Sequence, residues 1–128
     1  MNIAWLALKR RWLGRRIHDA PLDALLDAPL PHGNTSFAQC EFVCLDIETT
    51  GLDGKTADIL SAGWVLIRGG RVDLSTCESY LVRPAGEVGD SASVHGLTDT
   101  QVESGQDRNV VLRRIVEMLT GRTLVVHH

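Results

Sequence analysis

The apolar residues of this 128-residue chain fall into blocks whose spacing predicts a set of β-strands. A short continuous apolar run covers 42–46, and longer runs rich in apolar residues cover 59–67 and 71–82. Short continuous runs of this kind are typical of strands that are buried on both faces. Gly69 and Gly70 separate the second run from the third, and because glycine accepts positive φ angles we predict a tight two-residue hairpin there.

The remaining apolar blocks predict one helix and one further strand. After a loop rich in proline and glycine at 83–99, apolar residues recur over 109–119 with the spacing of an amphipathic helix. Gly121 should end that helix, and "TLVVHH" at 123–128 is a final strand candidate. The order strand, hairpin, helix, strand predicts an α/β fold with a mixed sheet, in which the last strand runs parallel to the first.

The N-terminal segment follows a different pattern. Residues 2–18 predict a basic helix interrupted by Gly14, with two apolar stripes and the charges between them. Such a helix either contacts nucleic-acid phosphates or an anionic membrane, or packs its tryptophans on the body and leaves its arginines in solvent, and we favour the second. Proline and glycine then predict a linker at 27–36. We therefore divide the chain into a basic helix with a Pro-rich linker at 1–36 and a folded domain at 37–128.

Composition and charge are those of a globular protein without a membrane span. Hydrophobic residues make up 44% of the chain and charged residues 23%, both globular averages. No apolar stretch approaches the roughly 20 residues of a membrane helix. The net charge of −3 combines +4 on residues 1–20 with −7 on the rest. The three cysteines form no CxxC motif, so we expect reduced thiols in a cytoplasmic protein: Cys40, Cys44 and Cys77.

Two carboxylates stand where the first predicted strand ends. Asp46 and Glu48 are two residues apart, so in an extended strand both side chains would point to one face. Neighbouring carboxylates repel each other unless a cation lies between them, and their hard oxygen ligands suit Mg²⁺ or Mn²⁺. From the spacing alone a second interpretation stays open, in which Asp46 caps the turn at 49–51 and Glu48 is solvated.

The residues around this pair carry a family resemblance. The stretch "FVCLDIETTGLDGKTADILSAGWVLIRGGRV" resembles the first motif of the DEDD exonuclease superfamily, in particular the branch of the epsilon proofreading subunit of bacterial DNA polymerase III. The family pattern D-x-E-T-T-G-L falls on 46–52, "DIL" at 58–60 opens the family's second strand, and "VHGLTD" at 94–99 resembles its characteristic loop. The resemblance runs from Phe42 to the end of the chain and implies a ribonuclease H-like fold.

The resemblance also implies an activity, a cofactor and partners. The family members it points to are 3′-to-5′ exonucleases that hydrolyse single-stranded DNA from its 3′ end to nucleoside 5′-monophosphates, with two Mg²⁺ or Mn²⁺ ions. DNA is favoured over RNA because "ETTGL" is closer to the epsilon branch than to the oligoribonuclease branch. Besides the 3′ end of single-stranded DNA, the implied partner is a DNA polymerase subunit.

The family's roles carry over to the residues of the first motif. By the resemblance, Asp46 would bridge both metal ions, and Glu48 would bind the ion that holds the attacking water. Both residues are therefore candidate catalytic and metal-binding residues. The backbone N–H of Thr49 would hold the terminal 3′-OH of the substrate, and Leu52 would wedge against the last base.

Beyond the first motif the resemblance supplies less. Asp90 and His95 fall where the family contacts the terminal nucleotide, although a solvated acid and a turn-stabilising histidine stay open as alternatives. Of the family's four acids the sequence holds two, and the third is expected roughly four residues beyond His128. We interpret His127 and His128 as exposed terminal residues without a catalytic role.

We therefore expect the N-terminal part of an exonuclease domain, truncated after the fourth strand and inactive or impaired by itself. The alternative is a non-catalytic fragment that binds nucleic acid or protein through its basic helix and an open sheet edge. A serine elbow, a Gly-rich phosphate loop or a zinc-protease helix would indicate other chemistry, and none of these motifs occurs in the sequence.

Overall fold

The computed structural model of the protein describes residues 3–14, 19–29, 31–51, 53, 55–84, 101 and 103–127, with side chains from residue 9 onward. Within these residues the chain forms a four-stranded sheet, three α-helices and one short 3₁₀-helix. In chain order they are α1 (Ile3–Gly14), α2 (Ala20–Asp27), the 3₁₀-helix (Phe37–Gln39), β1 (Phe42–Thr49), β2 (Ile59–Arg68), β3 (Arg71–Leu81), α3 (Arg108–Leu119) and β4 (Thr123–Val125).

The strands lie in the order β3-β2-β1-β4 across the sheet. β1 is antiparallel to β2 and parallel to β4, so the predicted mixed sheet, with its last strand parallel to its first, is confirmed. β2 and β3 form the predicted hairpin, whose turn consists of Gly69 at φ 56° and Gly70 at φ 74°. Positive φ at both central residues is the requirement of a type I′ turn, which only glycine and a few small polar residues meet readily.

One face of the sheet forms the hydrophobic core with α3. Side chains of β2 alternate along the strand between buried and half-buried, and Ala62, Trp64 and Leu66 on the buried side are at most 3% exposed. Val111 and Ile115 of α3 pack into the same cluster. The helix therefore covers this face, which we call the helix face.

The opposite side of the sheet, which we call the open face, carries the half-buried and exposed side chains. None of the β1 and β2 side chains on this face is buried. Because neighbouring residues of a strand point to opposite sides, the alternation that builds the core also decides which residues stay accessible. In the two central strands the open face includes Cys44, Asp46, Glu48, Ser61, Gly63 and Val65.

Two described helices precede the sheet, and the second of them, α2, was not predicted. α1 ends at Gly14, and α2 begins after Asp19 with a proline in its first turn. α2 packs on α3, where Arg113 pairs with Asp19 at 3.1 Å. α1 agrees with the predicted basic helix over 3–14, and residues 2 and 15–18 of that prediction lie outside the described part. None of the described helices is long and apolar enough to cross a membrane.

Arg10 joins α1 to α2. Its guanidinium donates hydrogen bonds to the backbone carbonyls of Leu25 and Ala28, the second at 2.9 Å. These carbonyls lie at the C-terminal end of α2, where carbonyl groups lack intrahelical donors and carry partial negative charge. The interpretation in which the arginines of α1 are solvated is therefore wrong for Arg10, and the Trp12 side chain is about half exposed.

Several predicted boundaries move by a few residues. α3 begins at Arg108 instead of 109, because Asp107 caps it by accepting a hydrogen bond of 2.8 Å from the backbone N–H of Asn109. β4 ends at Val125, earlier than the predicted strand end at 128. The end of β1 also moves by three residues, because the strand continues beyond Asp46 to Thr49, and this changes the geometry of the candidate site.

Candidate active site

Asp46 and Glu48 lie in the same strand and on the same face of the sheet. β1 does not end at Asp46, as the apolar run predicted, but continues through Thr49. Both acids therefore keep the two-residue spacing of an extended strand, and both belong to the open face. Asp46 is exposed and Glu48 half-buried, so their carboxylates are accessible from the same side.

The residues across the ladder from the acids are small. Gly63 of β2 lies opposite Asp46, and Ser61 lies opposite Glu48. Directly opposite residues of an antiparallel pair have their Cβ atoms about 5 Å apart, so large side chains here would crowd the acids. These two neighbours were missed from the sequence, because their position depends on the register of β1 against β2.

A groove of about 630 Å³ runs along the open face beside Asp46. Most of its lining is apolar, with Val65 and Val125 among its residues, and it also contains the Cys44 and Cys77 side chains. His127, which the sequence placed outside catalysis, is exposed and lies along the same groove. Asp46 thus lies along a depression that is mostly apolar.

The turn that follows β1 is held by a closed set of hydrogen bonds. Thr49 Oγ1 donates to the carbonyl of Gly51 at 2.7 Å. The backbone N–H of Thr50 donates to the carbonyl of Asp58 at 2.9 Å, and the N–H of Asp58 donates back to Thr50 Oγ1 at 2.9 Å. A register shift between Glu48 and Thr49 marks the point where the strand gives way to this turn.

Side chains of this turn, rather than the acid, therefore supply the contacts expected of a cap. The alternative in which Asp46 serves as the cap of the turn at 49–51 is not needed to explain the turn. Of the other predicted site residues, Thr49 lies beside Glu48 at the end of β1. Leu52, Asp90 and His95 lie outside the described residues.

The acid pair supplies the side-chain oxygens with which a metal ion could be bound. No group of three or more histidine, cysteine, aspartate or glutamate side chains that could hold a metal ion occurs in the described part of the chain. Asp46 and Glu48 alone offer carboxylate oxygens on one face, which is the ligand type that Mg²⁺ and Mn²⁺ prefer, with water in their remaining positions. The residues present therefore fit a partly hydrated hard cation.

Comparison with known proteins identifies the family. Residues 43–128 match the family model described as Exonuclease, RNase T. The chain belongs to this exonuclease family. The match begins one residue after the start of β1 and includes the acid pair, the hairpin and α3. The resemblance to DEDD exonucleases inferred from the first motif is thereby confirmed.

Relatives with similar sequences are DNA polymerases III of the PolC type. The protein from Thermotoga maritima is 31% identical over 98 residues, which are 74% of this chain and 7% of the relative. The one from Mycoplasmopsis pulmonis is 27% identical over 89 residues, which are 69% of this chain and 6% of the relative. The chain thus spans less than a tenth of the length of the curated relatives it matches.

Solved structures share the fold at lower identity. Escherichia coli exonuclease I in complex with an oligonucleotide gives a TM-score of 0.57 at 17% identity, over 69% of this chain and 20% of that chain. Cell-death related nuclease 4 gives a TM-score of 0.54 at 12% identity, over 70% of this chain and 34% of that chain. These likenesses confirm the predicted ribonuclease H-like fold class.

Proposed function

We propose that the protein is a 3′-to-5′ exonuclease that acts on single-stranded DNA and releases nucleoside 5′-monophosphates. The observation that carries the proposal is the placement of Asp46 and Glu48 on one accessible face of a strand, in a member of an exonuclease family. Support for DNA as the substrate comes from the similarity to PolC-type DNA polymerases III and to an exonuclease I whose structure holds an oligonucleotide.

The acid pair would hold the cofactor, Mg²⁺ or Mn²⁺. When bound, such ions would lower the pKa of a coordinated water and stabilise charge on the scissile phosphate. Asp46 would ligate both ions and Glu48 one of them, as the family resemblance implies. The small neighbours Ser61 and Gly63 leave the space beside the carboxylates that a phosphate group needs.

The remaining substrate contacts belong to the turn and the loop that follow. The backbone N–H of Thr49 would donate to the terminal 3′-OH, which would select a free 3′ end over an internal position. Leu52 would separate the last base from its neighbour. Asp90 and His95 would contact the terminal nucleotide. All four assignments rest on the family resemblance.

We also propose that this 128-residue chain is slow by itself. In the described part of the chain only two carboxylates are placed to ligate the two hard cations, which leaves most of their ligand positions to water, so metal binding should be weak. Loss of a general base alone typically lowers a rate by about 10²–10⁴-fold, and neither acid is placed here as the base. A DNA polymerase subunit is the protein partner that the PolC-type relatives suggest, with the cytoplasm as the compartment.

The test uses the full chain and a single-stranded oligonucleotide labelled at its 5′ end. With Mg²⁺ or Mn²⁺ we expect a ladder that shortens from the 3′ end, release of nucleoside 5′-monophosphates, and no reaction in EDTA. Asp46→Ala and Glu48→Gln should abolish the ladder, while Asp73→Asn, which changes an acid at the far end of the same sheet, should not. Products that shorten from the 5′ end, or full activity of Asp46→Ala, would overturn the proposal.

The second candidate is a non-catalytic module that binds nucleic acid or protein. The mostly apolar groove on the open face is the observation that favours it, since an accessible apolar depression can accommodate a side chain or a base of a partner. This candidate predicts that the chain retains the labelled oligonucleotide, or a protein partner, without shortening the DNA at any metal concentration. The Asp46→Ala variant would then bind as well as the original protein.

A further inference from the structure

The turn after the acid pair is connected to α3 through one ion pair. Arg108 Nη1 lies 3.1 Å from Asp58 Oδ1. Asp58 is the residue whose backbone N–H and carbonyl both bond to Thr50. The chain of contacts therefore runs from α3, through Arg108 and Asp58, to Thr50, two residues beyond Glu48.

The helix end of this connection is anchored in the core. Arg108 is the first residue of α3, one turn before Val111, which is 1% exposed and packs against the helix face of the sheet. The Asp107 cap fixes the start of the helix at the same point. The cap and the core contact of α3 therefore fix the backbone position of Arg108, although its guanidinium lies near the surface.

The ion pair itself contributes little to folding stability. Arg108 is 49% exposed and Asp58 23% exposed, and pairs this accessible to water are weak in most measurements. The pair can instead restrict the position of the Asp58 backbone. Because that backbone bonds to Thr50, the pair also restricts the positions of Thr50 and of the neighbouring Thr49 backbone. A shift of about 1 Å in a positioned group is enough to weaken its contact with a substrate.

We propose that Arg108 and Asp58 are positioning residues that hold the Thr49–Thr50 turn in register with the substrate terminus. The inference rests on the proposed function, because it assigns the 3′-OH to the backbone N–H of Thr49. Neither side chain touches the reacting atoms. Their role is to set the orientation of the turn, so that a terminal hydroxyl finds its donor.

The first test measures binding to two oligonucleotides that differ only in ending with a 3′-OH or a 3′-phosphate. Both carry a 5′ fluorophore and a phosphorothioate at the terminal linkage, and Kd is read by anisotropy with Mn²⁺. Arg108→Ala and Asp58→Asn should each raise Kd for the 3′-OH strand about fivefold and leave Kd for the 3′-phosphate strand unchanged. The charge-swapped double variant Asp58→Arg with Arg108→Asp should regain binding within about twofold of the original protein.

Arg114→Ala is the matched control. Arg114 is also on α3, is 46% exposed and pairs with acids, namely Glu78 and Glu117. Its removal should change neither Kd. Equal weakening of both strands by Arg108→Ala, or no weakening at all, would overturn the positioning role.

The second test does not depend on DNA. Hydrogen exchange of the Thr50 and Asp58 amides should become several-fold faster in Arg108→Ala and stay unchanged in Arg114→Ala. Unchanged exchange in Arg108→Ala would overturn the inference. Faster exchange in Arg108→Ala would support the positioning of the turn. If the original protein nevertheless bound the 3′-OH and 3′-phosphate strands equally, the proposed function would be contradicted while the positioning of the turn would stand.

Discussion

Asp46 of β1 lies directly opposite Gly63 of β2 in the antiparallel ladder. A Cβ atom at Gly63 would meet the carbonyl oxygen of Glu78 at 3.7 Å and the Cβ of Ser79 at 3.9 Å, which are ordinary van der Waals distances. The backbone there could therefore accept a side chain. Glycine is not required by the fold at this position, but it keeps the space beside the Asp46 carboxylate open.

Gly63→Val should separate folding from function. We expect a free energy of unfolding unchanged or raised by up to about 1 kcal/mol, because valine favours a strand and glycine does not. Metal-dependent DNA hydrolysis should fall at least about tenfold, since a branched side chain would occupy the space next to Asp46. Gly63→Ala is the graded control, and its rate of hydrolysis should lie between those of the original protein and Gly63→Val. Unchanged hydrolysis by the valine variant would show that this space is not used.

Binding of Mn²⁺ should depend on both acids of β1. Asp46→Asn and Glu48→Gln keep the shape of the side chains but remove the negative charge, so each should weaken Mn²⁺ binding by about tenfold or more. Electron paramagnetic resonance of free Mn²⁺ measures this directly, without any DNA. Asp73→Asn is the control and should bind Mn²⁺ as the original protein does. Equal affinity in all four proteins would exclude the acid pair as a metal site.

Leu66→Ala should destabilise the core strongly. Leu66 is 1% exposed and lies on the helix face of β2. Its truncation leaves a cavity, so we expect a loss of about 3 kcal/mol in the free energy of unfolding. Val72→Ala, on the same hairpin but at a residue that is 55% exposed, should lose less than about 1 kcal/mol. Urea unfolding measures both, and similar losses would contradict the assignment of the two faces.

The Gly69-Gly70 turn should resist substitution. Gly70 has a φ of +74°, which costs a residue with a Cβ about 1–2 kcal/mol. A Cβ there would lie 3.5 Å from the ring of Phe37, an ordinary van der Waals distance, so the positive φ is the cost of the substitution. Gly70→Ala should therefore lower the thermal midpoint. Gly51→Ala is the control, because a Cβ at Gly51 meets nothing within 4 Å and its φ is not positive.

The pKa of Asp73 is lowered from its ordinary value near 3.8, chiefly by the Ser75 side chain. Ser75 Oγ donates to Asp73 Oδ1 at 2.6 Å, which favours the ionised carboxylate. The resulting stability is complete above the ordinary pKa and is lost as the pH falls through the lowered, folded-state pKa. Ser75→Ala should raise the pKa of Asp73 in an NMR titration of its carboxyl carbon. Ser79→Ala, on the same strand, should leave it unchanged.

Local signals made the sheet predictable. Apolar runs identified all four strands, and a pair of adjacent glycines identified the hairpin, because each signal lies within a few residues of the element it specifies. The signal for the acid pair was also local, since a two-residue spacing places both side chains on one face of any strand. Family membership then followed from the motif that surrounds the pair.

Other features depend on contacts that no local pattern contains. The neighbours of the acids, Ser61 and Gly63, follow from the register of β1 against β2, which is shifted at Glu48 by an irregularity in the ladder. The Arg108 contact with Asp58 joins residues fifty positions apart. α2 did carry a signal that was missed. An aspartate at the position before the helix, a proline in the first turn and leucines with helical spacing followed one another within 19–26.

The position of β1 between β2 and β4 has a consequence for how the acid pair is assembled. The β2–β3 hairpin joins neighbouring residues and can form within microseconds, about 1–10 μs for an isolated hairpin. The β1–β4 pairing, in contrast, joins Phe42 to Thr123, roughly eighty residues away, and must close a long loop first. The strand that bears both carboxylates thus gains its second neighbour late in folding. During partial opening of the native sheet, the three-residue β4 is the neighbour that it should lose first.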